Sequence, residues 1–452
     1  MNDLGAAEKY MYSFEQSYQG YSMYKHLDPR LYREMKRVLE RVRRFCQEEA
    51  APMALRLDRE MIRDPENKEL LWDFIRMAGR EGLFTNMIPK AYGGGGVPIC
   101  LSTIVLEELS ATCLGMANVV GAHWLGYFTM WLSFRFGLTN RISREIIEAE
   151  RSDKPVLMSL AACEPMVGSD MMDPDLYPSA TTNSSAKRVN GGYVLNGAKC
   201  FISDGSISKY TCAIIPFDRK RFLETFSAFL IPTDSEGFSF GKDFHKMGQK
   251  SCPASELHFE DIFVPEEYRL FPNVEPFVPV AAIMGEFLGF TRVCIGAFGV
   301  GAARGAYEKA VCYARQTRVR GKLLINHQWA QMILSRMLIN VIQARTLVEE
   351  AVFGDLQWGL HKYLLPRTRH GYRWYRLAEL AMRTPVAKWG SNLSHNFLNS
   401  TMMEKSGDRP GRIVRWVIEH VGMDPMHARV FASTAVRSKA AWPVDFLTWT
   451  GY

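Results

Sequence analysis

Nine cysteines are scattered through these 452 residues without one C-x-x-C pair. That argues against a zinc ribbon or a disulfide scaffold and fits a reducing cytoplasm. No apolar run approaches the ~20 residues that a membrane-spanning helix needs. Met1 to Gly20 is polar and mixed in charge, without the apolar core of a secretory signal. The glycines at 93–96 are not followed by Gly-Lys-Ser/Thr, so they do not form a phosphate loop of that kind. No nucleic-acid-binding module is present. The short basic run Arg367-Thr368-Arg369-His370 reads as a solvated loop. No internal repeat is found.

What is present is a chain with 47% hydrophobic residues, enough for a large core, and a length that suggests two or three domains. The net charge of +7 suits an anionic ligand, or is simply a basic surface. Apolar residues at Leu31, Met35, Val38, Leu39, Val42 and Phe45 have helical spacing. Further helices are expected at Leu70–Ala78 and Leu101–Ser110, making an all-helical first domain over 10–154. Over 155–278 the texture becomes short β-rich runs separated by turn residues: Val156–Ala162, Thr211–Ile215, Ala228–Pro232, Phe238–Phe240 and Glu256–Phe259. Regular short strands of this kind predict a small antiparallel barrel or sandwich. From 279 to 452 the pattern is helical again. Gly296, Gly299, Ala303, Ala306 and Ala310 recur at three- and four-residue steps, a small-residue stripe that lets helices approach closely.

Two stretches stand out. Cys163-Glu164-Pro165-Met166-Val167-Gly168-Ser169-Asp170 follows the run Val156–Ala162. Asn196-Gly197-Ala198-Lys199-Cys200-Phe201-Ile202-Ser203-Asp204-Gly205 follows Tyr193–Leu195. Each reads as a strand end turning on small polar residues, with backbone N–H groups and hydroxyls that suit a flat ring rich in carbonyl and imide groups. At these residues the sequence resembles the acyl-CoA dehydrogenase family, whose motifs T-E-P-G-A-G-S-D and N-G-x-K-x-W-I-T-N-G wrap the flavin of FAD. Ile88-Pro89-Lys90-Ala91-Tyr92-Gly93-Gly94, Glu107-Glu108-Leu109, and the stretch from Lys246-Met247-Gly248-Gln249 to Phe263-Val264-Pro265 carry the same resemblance. It covers about Tyr32 to Lys439. The implied fold class is α+β: an N-terminal α-helical domain, a middle antiparallel β-barrel domain and a C-terminal four-helix bundle. Against the family's spacing, residues 354–381 look like an insertion.

The resemblance also implies roles. Similar proteins take a hydride from Cβ and a proton from Cα of an acyl thioester, the hydride passing to flavin N5. Ala162, Cys163, Gly168, Ser169, Phe201, Ile202 and Ser203 fall on flavin-side positions. Among them Cys163 stands for Thr, Phe201 for a Trp on the flavin face, and Ser203 for the Thr whose hydroxyl reaches N5. Ser169 also matches a contact to the CoA part of the substrate. Gly289-Phe290-Thr291-Arg292 resembles the start of the family's long helix and puts Thr291 and Arg292 on the substrate side. Tyr313-Ala314, Gly321-Lys322-Leu323-Leu324 and His327-Gln328 match the stretch that reaches the adenine half of FAD on a neighbouring subunit. There Arg318 suits the pyrophosphate by charge. Glu404 and Gly407 fall near the family's Gln and Gly-Gly loop.

The main departure is the base. No Tyr-Glu-Gly-Thr tetrad occurs in the sequence. The position falls near Gly422, with Asp424 the nearest carboxylate, and Asp424-Pro425 equally reads as a helix N-cap followed by Pro at the first helical position. Some relatives carry the base on the long helix, at the position of Thr291. Glu286, five residues earlier, serves only if it lies in a loop. The implied function is FAD-dependent α,β-dehydrogenation of an acyl-CoA, the acyl group being cyclic or carboxylated in one variant. The implied partners are an electron-transferring flavoprotein as acceptor and further copies of the chain, as a homotetramer. Alternatives are a flavin monooxygenase or oxidase of the same fold and a non-catalytic partner subunit.

Overall fold

The computed structural model describes residues 17–64, 67–165, 167, 181–221, 225, 227–246, 248–271 and 278–364; for 58, 61, 62, 99, 278–289 and 353–364 the backbone alone is described. Asp28 starts the first long helix, α1 (Pro29–Phe45). Its carboxylate accepts the N–H groups of Arg30 and Leu31, and Pro29 sits at the helix start, where a missing N–H costs nothing. A π-helical turn, Cys46–Ala50, leads into α2 (Ala51–Arg63). Then come α3 (Glu69–Arg80), α4 (Ile99–Thr112), α5 (Leu114–Trp131) and α6 (Phe136–Arg151). The three helices expected from periodicity form here with slightly longer bounds. α5 was not legible that way because nearly all of it is buried, so it has no polar stripe. Between α3 and α4 the glycine turn folds on itself: a Cβ on Gly94 would stand 2.3 Å from that of Ile88, and Gly93 has φ +94°.

α5 is tied to the β region. His123 Nδ1 accepts the N–H of Met158 at 3.1 Å, so Nε2 carries the hydrogen and donates to the Phe84 carbonyl at 3.0 Å. Gly126 lets the helix lie on the backbone of Ser159, where a Cβ would come within 2.9 Å.

Seven strands follow: β1 (Met158–Ala161), β2 (Ser185–Val189), β3 (Gly192–Ser203), β4 (Tyr210–Ile214), β5 (Ala228–Pro232), β6 (Phe238–Asp243) and β7 (Ala254–Pro265). They form two sheets, ordered β1-β4-β5 and β2-β3-β7-β6. Residues from both sheets, such as Ile231, Phe229, Ile202 and Phe259, share one core. The sandwich half of the expectation is therefore what forms; no closed barrel is seen among the described residues. The pairing also departs from all-antiparallel, since β1 and β4 run parallel. The second motif differs as well. The strand expected to end at Leu195 continues through Asn196 and Gly197, a register irregularity against β7, to Ser203, and the turn comes at Asp204.

α7 (Val278–Gln316) and α8 (Gln328–Leu364) flank a short hairpin, β8 (Arg318–Val319) with β9 (Lys322–Leu323). The small-residue stripe does what its spacing suggested. A Cβ on its Gly296 would meet Val348 of α8 at 2.9 Å; Gly301, which the stripe as read did not include, comes closer still, since a Cβ there would meet the Glu107 carbonyl of α4 at 2.2 Å. Thr291 and Arg292 lie well inside α7 and not at its start, which corrects that expectation. The rest of the expected four-helix bundle and the insertion, apart from the end of α8, lie outside the described residues. Glu107 and Glu108 are buried against cations: Arg304 reaches Glu107 at 3.2 Å and Glu108 at 2.8 Å, and Arg345 also binds Glu107. Burying two carboxylates is tolerable only with such partners. Among the described residues no helix is long and apolar enough to cross a membrane.

Candidate active site

The two sequence stretches meet. The Cys200 N–H donates to the Cys163 carbonyl at 3.0 Å. The Lys199 ammonium donates to Glu164 Oε1 at 2.8 Å and to the Ala162 carbonyl at 3.2 Å. Both charges are out of water, with side-chain exposures of 1% and 0%. Glu164 is further held by the Ser184 hydroxyl and by the backbone N–H of Asn183. Burial opposes ionisation of Glu164, but Lys199 and these hydrogen bonds outweigh it and hold the carboxyl below its ordinary range.

Beyond this staple lies a narrow pocket of about 40 Å³ between α5, α7 and the end of β3. Its polar wall is Asn118, Ser203, Gln249 and Thr291; Trp124, Phe290 and Phe298 supply an apolar one. The Asn118 amide donates to Gln249 Oε1 at 2.7 Å, to Cys252 Sγ at 3.3 Å and, at the edge of hydrogen-bond range, to Ser203 Oγ at 3.5 Å. Ser203 thus receives a hydrogen on its oxygen, and its own O–H has no acceptor among the described residues. Asp204 follows in the left-handed conformation, φ +58°. Burial pushes its carboxyl well above the ordinary range, and it accepts the Cys252 thiol at 3.4 Å.

Of the residues singled out in the sequence, Ser203 and Thr291 line the pocket together. Arg292 is buried beside Thr291 on α7. Cys163 is buried within the staple, Ala162 is half-buried and contributes its carbonyl to it, and Ile202 packs into the core between the sheets. Phe201 is 39% exposed. Arg318 and Gln328 are exposed and His327 half-buried around the hairpin, where Arg318 donates to the Gly321 carbonyl at 2.8 Å. Glu286 lies inside α7, so the loop in which it was expected to serve as base does not exist. Gly168, Ser169, Glu404, Gly407 and Asp424 lie outside the described residues. Asn118 and the aromatic pocket wall were missed in the sequence. Asn118 sits on the uniformly buried α5, where no pattern separates a pocket residue from a core one.

An α-helical segment, a β-sandwich and two long helices, with a pocket where the three meet, define a three-part architecture with its site at the junction. The chain belongs to the acyl-CoA dehydrogenase family. Models of that family match its N-terminal domain at residues 33–137, its middle domain at 159–262 and its C-terminal domain at 280–357. A cyclohex-1-ene-1-carbonyl-CoA dehydrogenase of Syntrophus aciditrophicus is 30% identical over 319 residues, 70% of this chain and 71% of that protein. A short-chain-specific acyl-CoA dehydrogenase of Clostridium acetobutylicum is 28% identical over 72% of this chain and 80% of its own. Among solved structures, butyryl-CoA dehydrogenase from Megasphaera elsdenii superimposes with a TM-score of 0.65 at 22% identity. That match covers 89% of this chain and 98% of the other.

Proposed function

We propose that the chain is an FAD-dependent dehydrogenase of a compact acyl-CoA thioester. The observation that carries this reading is the joining of the two motif stretches by Lys199 and Glu164 beside a pocket that Ser203 and Thr291 line. The residues present suit a flavin: an exposed aromatic ring at Phe201, a hydroxyl two residues on whose hydrogen is uncommitted, and an apolar pocket beyond it. Bound there, FAD would supply the acceptor for a hydride from the acyl Cβ. The chain's own residues do the rest. Ser203 would offer its O–H to the N5 edge of the flavin, where the hydride arrives. Trp124, Phe290 and Phe298 exclude water from the acyl group. Arg292 is proposed to support the CoA arm, and Asp424 to take the Cα proton; Arg318, His327 and Gln328 are proposed for the distal half of FAD.

The pocket limits the acyl group. A dry cavity of ~150 Å³ accepts benzene; the space here, about 40 Å³, is well below that, which favours a small acyl group over a ring. An electron-transferring flavoprotein is the proposed acceptor and a homotetramer the proposed assembly. The test is anaerobic bleaching of the purified yellow protein by a panel of acyl-CoAs. Bleaching by short acyl-CoAs supports the reading. A protein that binds FAD yet is bleached by none of the panel, or a colourless one that cannot be reconstituted, refutes it.

A further inference from the structure

Every residue from Lys199 to Gly205 is buried except Phe201. Its φ is +59°, a region that a bulky side chain rarely enters and that persists where the surroundings enforce it. The cause is local. Lys199 pairs with Leu257 and Ile202 with Ser255, so three steps on β3 oppose two on β7. The extra residue is a bulge, and bulges re-aim side chains. The strand thus spends backbone strain to hold one phenyl ring out of its core.

That ring has a neighbour. Phe244, just past β6, lies with its centroid 4.3 Å from that of Phe201 and its plane tilted by 37°. Its backbone N–H is anchored on the Ala254 carbonyl at 2.8 Å. The Lys242 ammonium sits 5.2 Å from the Phe244 centroid, which occupies part of that ring's surroundings. Phe201 remains the ring with open surface. Alone, a half-exposed phenyl moves among rotamers; a tilted partner in contact removes that freedom and is itself favourable.

We propose that Phe244 is a positioning residue for flavin binding: packed against one face of Phe201, it braces that ring so that Phe201 presents its open surface to the flat isoalloxazine beside Ser203. The inference rests on the proposed FAD site and names a residue that no sequence motif pointed to.

The test uses the full-length protein. Apoprotein is titrated with FAD, and the residual fluorescence of bound flavin is measured, since a stacked aromatic ring quenches it. The variants are Phe201→Leu, Phe244→Leu, the double variant and Phe244→Tyr. Phe240→Leu, at an exposed ring on β6 that meets Phe238 edge-to-face, is the control. Phe244→Leu and Phe201→Leu are expected to weaken FAD binding about two- to tenfold, the range for one aromatic contact, and to raise bound-flavin emission. The double variant should be no worse than Phe201→Leu, because Phe244 acts through Phe201. Phe244→Tyr and Phe240→Leu should resemble the parent, and the thermal midpoint of each apoprotein should stay put. If Phe201→Leu is impaired but Phe244→Leu binds and quenches normally, the brace is refuted and the FAD site stands. Additive losses also refute it, by showing that Phe244 acts alone. If FAD binds and neither variant changes it, the brace is refuted along with the assignment of Phe201; if no variant or parent binds FAD, the functional reading fails first.

Discussion

The Lys199 ammonium lies 2.8 Å from Glu164 Oε1, and neither side chain reaches water. One residue comes from the first motif and the other from β3, so this contact fixes the two stretches against each other. Removing one partner leaves an uncompensated buried charge, typically a loss of 3–5 kcal/mol. Lys199→Met is therefore expected to lower unfolding free energy by about that much and to reduce FAD occupancy. The paired change Lys199→Met with Glu164→Gln should recover a large part of the stability. Denaturant titration and the flavin-to-protein absorbance ratio measure both effects. A Lys199→Met protein of parental stability would show that the pair does not hold the motifs together.

His123 gives a pH dependence with a definite sign. Burial lowers its pKa from 6.5 to about 4, against the opposing bond to the Phe84 carbonyl. Below pH 6.5 the unfolded chain takes up a proton that the folded chain refuses until about pH 4. Stability contributed by neutral His123 is thus complete above pH 6.5 and is lost as pH falls toward 4. At ~1.4 kcal/mol per unit the loss amounts to about 3 kcal/mol. His123→Gln cannot titrate in this window, so its stability should fall less steeply between those pH values. Equal slopes for parent and variant would rule out His123 as the source.

Gly121 and Phe298 bound the pocket from α5 and α7. A Cβ on Gly121 would come 2.8 Å from Phe298 Cζ. Gly121→Ala is expected to lower kcat/KM for short acyl-CoAs by tenfold or more, within the range set by one methylene in a tight pocket. Phe298→Leu in the same background should restore part of it and shift the preferred acyl length upward. A chain-length profile unchanged in both variants would place the acyl group elsewhere.

Asp424→Asn tests the proposed base. The change keeps the size and one side-chain oxygen while removing the proton acceptor. Turnover should fall ~10²–10⁴-fold, the usual contribution of a general base, with FAD affinity unaltered. Near-parental turnover would rule out Asp424 as the base.

Single residues show what could be read without a structure. Leu31, Met35, Leu39 and Val42 mark α1 because one face is wet, and Gly296 marks a close helix contact because only a missing side chain allows it. Lys199 and Glu164 were legible as parts of motifs. Their ion pair was not, since they are 35 residues apart.

The sequence by itself determined the family and the α, β, α order of the elements, and it singled out Ser203 and Thr291, which line the pocket, because these readings rest on local periodicity and on short fixed-spacing motifs. Only the tertiary structure decided that Asn118 and Phe298 line the pocket, that Glu286 lies within a continuous helix, and that the Phe244 ring lies against Phe201. The physical reason is shared. A fully buried helix such as α5 has no wet face, so its pocket residues carry no pattern. A bulge that turns one ring toward another is set by the register of β3 on β7, a pairing between strands that no local stretch of sequence encodes.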